Sequence, residues 1–129
     1  MSKLKKEIKK EERRLKQEWK NIIFNTIFAI LTLLFVALFY RNIILTTILV
    51  KLVSIIGLVK WKSYITFTIF IFGALLGPVS EMFAIYFGAW SYYIPNLLSI
   101  PIWLFLVWGN TAAFLYQTAL EIKKLGVKK

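Results

Sequence analysis

The chain has 129 residues, of which 59% are hydrophobic and 17% aromatic, and its formal net charge is +11. Soluble globular proteins contain about 45–50% apolar residues even when glycine is counted, so this composition indicates a membrane protein. The sequence has no cysteine and no histidine, which excludes disulfides, thiolate chemistry, histidine-ligated metals, haem and a serine–histidine triad. We therefore expect neither a metal site nor a cofactor.

The N-terminal segment 1–21 is predicted to be a basic amphipathic helix with a narrow apolar stripe. Nine of the 17 basic residues lie in 3–20, and four more lie in 123–129. Both clusters adjoin apolar segments, where the positive-inside rule and anionic lipids account for them, so we expect no nucleic-acid partner. The helix either binds a lipid surface or a partner, or it is a solvated extension that sets the topology. Its apolar stripe consists of Leu4, Ile8, Leu15 and Trp19.

Four apolar segments are predicted to cross the membrane, because each approaches the roughly 20 residues that a spanning helix needs. They are residues 22–40, 43–59, 64–89 and 101–121, and a basic tail follows at 122–129. The predicted fold class is therefore all-α, a polytopic four-helix transmembrane bundle behind the basic helix. The last span is expected to begin with Pro101 as its first helical residue. Short connections predict that the first three spans pack in sequence order.

The basic residues also predict an orientation. With the N-terminus inside, fifteen of them lie on the cytoplasmic face and only Arg41 lies on the opposite face. This asymmetry predicts a multi-pass protein of the cell membrane with both termini in the cytoplasm.

Each predicted span carries one polar residue at a similar depth. Counted from the outer end of each span, that depth is about 12–14 Å at 1.5 Å per residue. A charge so deep costs roughly 2.5–3.5 kcal/mol on insertion scales, so it is rarely present without a role. We therefore predict a polar layer between the helices that binds a ligand or a partner. Its members are Thr32, Lys51, Glu81 and Asn110.

Lys51 and Glu81 are the two charged members of this layer and are predicted to be neighbours. Thr47, Lys51 and Ser54 recur at i, i+4 and i+7, so the second helix is expected to turn a polar face into the bundle. The pair could handle ions or protons or act as an acid–base site, or it could be a buried salt bridge that sets helix register. Alternatively, Lys51 could snorkel outward or face a partner. The sequence leaves these alternatives open.

A glycine–proline step precedes Glu81 in the third span. Proline removes a backbone donor, so Gly77-Pro78 predicts a kink that presents the carboxylate. Gly73 and Gly77 form a small-xxx-small face, which predicts close packing with another helix.

The segment between the third and fourth spans is uncharged and aromatic. Trp90, Tyr92 and Tyr93 are typical of a membrane interface, and Trp108 lies deeper, where it could line a cavity beside Glu81. The connection 90–100 is expected to dip back over the bundle through its apolar Leu97-Leu98, and it would suit the entry of a lipid-like ligand. Tyr92 and Trp108 therefore join the polar layer as candidate ligand-binding residues.

One stretch of this region resembles a known group of proteins. Glu81, Gly88-x-Trp90-x-Tyr92, Ile100-Pro101 and Trp108 are similar to a segment of integral-membrane carotenoid-biosynthesis proteins, including the carotenoid hydratase and lycopene cyclase-like groups. The resemblance covers about residues 81–108 and does not extend to residues 1–72. It implies that Glu81 is a catalytic acid that protonates a polyene, with the aromatic rings stabilising a carbocation by cation–π contact.

The sequence thus predicts a small integral membrane protein that binds a lipid-like ligand, or a membrane partner, through its polar layer. One alternative is a terpenoid-modifying or carotenoid-modifying enzyme with Glu81 as the acid. Another is a subunit of an oligomeric channel or proton-coupled transporter, because four short helices enclose little volume. The expected partners are anionic lipids at the basic helix, a hydrophobic ligand, and a second copy or another membrane protein. Enzymatic activity, ligand and oligomeric state do not follow from the residues.

Overall fold

The protein folds into four α-helices, as seen in a computed structural model that describes residues 2–126. Within these residues the chain forms no strand, and its only bridge is an isolated pair between Leu97 and Ile100. The predicted all-α class is confirmed. The last three residues of the predicted basic tail, 127–129, lie outside the described residues. The helices are α1 (Ser2–Phe39), α2 (Ile43–Trp61), α3 (Tyr64–Tyr86) and α4 (Trp103–Lys124).

Three of the helices, α1, α2 and α3, are long and apolar enough to cross a membrane. This supports a membrane location. Within the described part of the chain, α4 is not among the candidate spans. It is the helix that carries Asn110, Gln117 and Glu121.

The helix α1 is continuous from Ser2 to Phe39, so the predicted basic helix and first span form one element. At 1.5 Å per residue its 38 residues extend about 57 Å, roughly twice the thickness of a hydrocarbon core. Leu4, Ile8 and Trp19 of the predicted apolar stripe are exposed, whereas Glu18 is buried. The projecting half of α1 therefore meets the rest of the protein through polar residues.

The two short turns follow from side-chain caps at the start of the next helix. Asn42 caps α2 by accepting a hydrogen bond from the Leu45 amide at 3.1 Å, and Ser63 caps α3 by accepting one from the Thr66 amide at 3.1 Å. Between α2 and α3, Lys62 adopts a left-handed conformation with φ of 47°. Each turn reverses the chain within a few residues, so α1, α2 and α3 run alternately up and down.

The predicted packing order is wrong for α2 and α3, which touch only slightly although the turn between them is short. The helix α4 instead lies at the centre, where it packs against all three others and most extensively against α3. Among the described residues, α1 and α3 do not pack against each other. They flank α4 and leave part of its surface open between them.

Glycines explain why α3 prefers α4. A Cβ atom on Gly73 would lie 2.5 Å from the Cβ of Ala112, and one on Gly77 would lie 2.1 Å from the Trp108 indole. From the other side, a Cβ on Gly109 would lie 2.6 Å from the Phe70 ring. The predicted small-residue face of the third helix is therefore a contact with α4, where only glycine permits this approach.

The connection between α3 and α4 docks differently from the prediction. The helix α3 ends at Tyr86, three residues early, and Gly88 follows with φ of +83°. Ile100 is fully buried, whereas Leu98 is 82% exposed, so Ile100 and not Leu97-Leu98 anchors the connection. Pro101 precedes α4 and does not open it, and its carbonyl accepts a hydrogen bond from the Leu104 amide at 3.1 Å.

We expect Gly77→Ala to destabilise the protein by about 1–3 kcal/mol, because the added methyl group overlaps the Trp108 indole. Val79→Leu is the matched control, since it also adds bulk to α3 but at a side chain that is 57% exposed. Thermal unfolding in one detergent measures both variants. Equal melting temperatures for Gly77→Ala and Val79→Leu would contradict the packing described above.

Candidate functional site

The bundle has two ends that differ in structure. The loop end holds the connection between α3 and α4, and the terminal end holds the last turns of α2 and α4. Glu81 lies on α3 at the loop end, five residues before Tyr86, or about 7.5 Å along the helix axis.

Three ring donors converge on the Glu81 carboxylate. The Trp90 indole donates to Oε1 at 3.2 Å, the Tyr92 hydroxyl donates to the same oxygen, and the Trp108 indole donates to Oε2. Two donors come from the connecting segment and one from α4, so the carboxylate ties three parts of the chain together. This set of residues, Glu81, Trp90, Tyr92 and Trp108, is called the carboxylate site.

Tyr92 is placed to act as a donor throughout the physiological pH range. Its ring packs edge-on against Trp103, with ring centroids 6.0 Å apart. Partial burial, the hydrogen bond to Glu81 and the charge of that carboxylate all raise the pKa of the Tyr92 phenol. The phenol therefore keeps its proton and holds the carboxylate oxygen.

Lys51 does not pair with Glu81. Lys51 is exposed on α2, and among the described residues no ion pair joins it to a carboxylate. Depth along the helices was a poor guide because it carries no information about direction around the helix axis. On α2 the buried residues are Thr46, Val50, Val53, Ser54 and Gly57. Lys51 lies on the outer side of α2, the same side as Ile48, Leu52 and Ile55, which are also exposed.

The other members of the predicted layer form a separate network at mid-bundle. The Ser54 hydroxyl donates to Oδ1 of Asn110 at 2.7 Å, and Nδ2 of Asn110 donates to the Thr32 hydroxyl at 3.0 Å. All three side chains are buried. Asn110 thereby links α4 to α1 and α2. We call Thr32, Ser54 and Asn110 the central network. In place of the predicted single layer there are therefore two separate groups, the central network and the carboxylate site nearer the loop end.

A groove adjoins the carboxylate site over the open surface of α4, between α1 and α3. Its main cavity has a volume of about 310 Å³ and is bordered by Glu81, Tyr92 and Trp108. A second cavity of about 300 Å³ lies toward the connecting segment and shares Val36, Tyr92 and Trp103 with the first. A third, of about 140 Å³, shares Thr111 with the main cavity and reaches the central network. Together these three cavities are called the aromatic groove.

Among the described residues that line the groove, the Trp103 indole carries the one buried side-chain polar atom without a partner. Its Nε1 atom is buried and makes no hydrogen bond to any described residue. A buried donor left in this state costs about 1–3 kcal/mol. Trp103 borders both the main and the second cavity.

Aromatic contacts close the groove at the loop end. Tyr40 and Tyr93 meet edge-on with ring centroids 5.8 Å apart, and the Arg41 guanidinium lies 5.6 Å from the Tyr93 ring. A cation over an aromatic face contributes about 0.5–1 kcal/mol at an exposed position. These contacts fasten the connecting segment to the turn between α1 and α2.

Sequence reasoning missed Trp103 as a groove residue and missed a second polar region at the terminal end. There, Gln117 donates to the Thr66 hydroxyl at 2.6 Å, and the Trp61 indole donates to Asn25 at 3.1 Å. Glu121 is also buried. A signal was present, because Asn110, Gln117 and Glu121 recur on one face of α4 at helical spacing.

No family model, curated protein or solved structure matches the chain.

The separation of Lys51 from Glu81 makes a quantitative prediction. In a double-mutant cycle with Lys51→Met and Glu81→Gln, the effects on unfolding free energy should add to within about 0.5 kcal/mol, because the residues share no contact. Glu81→Gln with Trp108→Phe is the positive control and should show coupling, since these side chains are bonded. Strong coupling between positions 51 and 81 would mean that the two charges interact after all.

Proposed function

We propose that this protein is an integral membrane protein that holds a lipid-like ligand with a hydroxyl head in the aromatic groove. The observation that carries the proposal is the presence, on one apolar groove, of a carboxylate and an unpartnered indole N–H. A hydroxyl group is both donor and acceptor, so it can donate to Glu81 and accept from Trp103.

The dimensions of the groove support a chain-like ligand. The groove follows α4 from Trp103 to Phe114, eleven residues, or about 16 Å along the axis. Between these ends it is bordered mainly by apolar side chains, including Val36, Leu104 and Val107. Because α1 and α3 do not pack against each other, the groove opens sideways, which suits entry from the lipid phase.

The polar end of the groove supports a neutral head. Glu81 repels an anionic head such as a carboxylate or phosphate. Its three donors already satisfy much of its hydrogen-bonding capacity, but a carboxylate offers about four acceptor positions, so one position is left for a ligand. A neutral hydroxyl uses that position without adding a charge to the apolar groove.

A second candidate is a terpenoid-modifying enzyme with Glu81 as the acid. It is favoured by one observation: residues that carry the resemblance to carotenoid-biosynthesis proteins meet in space as the carboxylate site. Against it, all three contacts use the carboxylate oxygens as acceptors, whereas an acid must carry a proton on one of them. We therefore place ligand binding first.

For the membrane arrangement, we propose α4 as a fourth span with both termini cytoplasmic. Its 22 residues extend about 33 Å, enough to cross the hydrocarbon core. Its polar residues Asn110, Gln117 and Glu121 are buried against other helices and do not face lipid, while Leu115 and Ile122 are exposed. The fifteen-to-one distribution of basic residues supports the orientation.

Binding of farnesol to the protein in lipid nanodiscs tests the ligand proposal. Quenching of tryptophan fluorescence reports the groove, because Trp103 and Trp108 border it. We expect farnesol to bind about tenfold more tightly than its methyl ether, which can accept from Trp103 but cannot donate to Glu81.

The variant Glu81→Gln should reduce the preference for the alcohol, because the amide oxygen is uncharged and accepts a weaker hydrogen bond from the hydroxyl. Glu7→Gln makes the same change at an exposed position of α1 and should leave the preference intact. Equal affinities for alcohol and ether in the native protein, or an undiminished preference in Glu81→Gln, would refute the proposal.

The topology is tested with single cysteines, since the native chain has none. Cysteines at Ser2, Asn96 and Gly126 should differ in their reaction with a membrane-impermeant thiol reagent on intact cells. Only the Asn96 position is expected to be labelled, and all three should react after permeabilisation. Labelling at Gly126 without labelling at Asn96 would reverse the proposed orientation.

A further inference from the structure

A polar cavity lies at the terminal end of the bundle, remote from the aromatic groove. Its volume is about 210 Å³, and it is enclosed by α1, α2 and α4. A water molecule takes about 30 Å³ in the liquid, so the space admits a group of several heavy atoms. We call it the terminal cavity, and its lining residues are Asn21, Asn25, Lys60, Trp61, Gln117, Glu121 and Lys124.

The walls of the terminal cavity are fixed by hydrogen bonds between helices. Asn25 accepts from the Trp61 indole at 3.1 Å and donates to the Thr118 hydroxyl at 3.5 Å, which joins α1 to α2 and α4. Gln117 donates to Thr66 at 2.6 Å, which joins α4 to α3. These amides have partners already and hold the cavity open.

Glu121 is the exception in this lining. The residue is only 4% exposed. Its Oε1 atom accepts from Asn21 at 3.2 Å and lies 3.7 Å from the ammonium of Lys124, whereas Oε2 is buried and has no partner among the described residues. A buried carboxylate oxygen without a donor is costly, so the cavity requires an N–H or O–H group at this position.

Positive charge stands beside this acceptor. Lys60 lies at the same cavity with its ammonium 4.9 Å from the Phe24 ring, and it makes no ion pair with any described carboxylate. With Lys124, the lining holds two ammonium groups against one carboxylate. A ligand that fits both features carries a donor for Glu121 and an anion for the lysines.

We infer that the terminal cavity binds a phosphoethanolamine group. Its primary ammonium donates to Oε2 of Glu121, and its phosphate lies against Lys60 and Lys124. The last turns of α2 and α4 form this end of the bundle, at the level where a headgroup lies when the apolar helices cross the bilayer. Phosphocholine shares the phosphate but has no N–H, so it cannot donate to Glu121. The source of the group is a phosphatidylethanolamine headgroup or the free zwitterion.

Native mass spectrometry of the purified protein with competing lipids tests this inference. Phosphatidylethanolamine and phosphatidylcholine with identical acyl chains are mixed in equal amounts, and the bound fraction of each is measured. We expect phosphatidylethanolamine to be retained about tenfold over phosphatidylcholine, the effect of one charge-assisted hydrogen bond. Equal retention by the native protein would overturn the inference without any variant.

Three variants then locate the preference. Glu121→Gln keeps an acceptor for Asn21 but removes the charge, so the ratio of the two lipids should fall toward one. Glu12→Gln, at an exposed position, should leave the ratio unchanged. Lys60→Gln should weaken retention of both lipids alike, because both carry the phosphate. A preference that survives in Glu121→Gln would overturn the inference.

Free phosphoethanolamine distinguishes the two sources. Displacement of the bound lipid by millimolar phosphoethanolamine, but not by phosphocholine, would support the site and identify a soluble ligand as sufficient. Retention of the lipid under the same conditions, together with the expected lipid ratio, would identify the headgroup of a membrane lipid as the ligand.

Discussion

The arrangement of this bundle depends on one stripe of polar residues along α4, each of which finds its partner on another helix. In a bilayer the lipid tails are as apolar as the side chains, so burial alone does not drive helices together. Asn110 bonds to α1 and α2, Gln117 bonds to α3, and Glu121 bonds to α1. Such bonds contribute only about 0.6 kcal/mol each on average, but an amide left unpaired costs more. These hydrogen bonds therefore determine which helix faces pack together more than they add to the stability of the bundle.

The glycines of α3 complete this arrangement by permitting contact that no other residue allows. Gly73 and Gly77 bring α3 against α4, and the Trp108 indole fills the space over Gly77. That position of the indole is also what lets its N–H reach Glu81. Helix packing and the carboxylate site thus depend on the same glycine. Both α3 and α1 pack against α4 but not against each other, so the groove between them is a direct result of the helix packing.

Hydropathy and turn signals were sufficient to predict the helices, and depth was sufficient to predict Asn110 with Thr32, but neither predicts which side of a helix faces inward. On α2 the sequence suggested Thr47, Lys51 and Ser54 as the inner face. The buried residues are Thr46, Val50, Val53, Ser54 and Gly57, so Ser54 does face inward, whereas Thr46 and Val50 are buried in place of Thr47 and Lys51, a shift of one residue or about 100°. Small and β-branched residues there allow close approach, while Lys51 with its long side chain is left outside. The rotation of each helix about its own axis is decided by packing against the other helices. The sequence of a single span does not contain that information.

The surroundings of Glu81 and Glu121 show why the ends of the bundle differ in chemistry. Glu81 accepts three hydrogen bonds from aromatic side chains, which position its carboxylate beside an apolar groove. Glu121 accepts one amide, lies near one ammonium, and keeps one oxygen without a partner. Sequence reasoning favoured Glu81 because an apolar segment makes its charge conspicuous, and it did not single out Glu121. The structure buries Glu121 against α1, where Asn21 donates to one carboxylate oxygen and the other has no partner among the described residues.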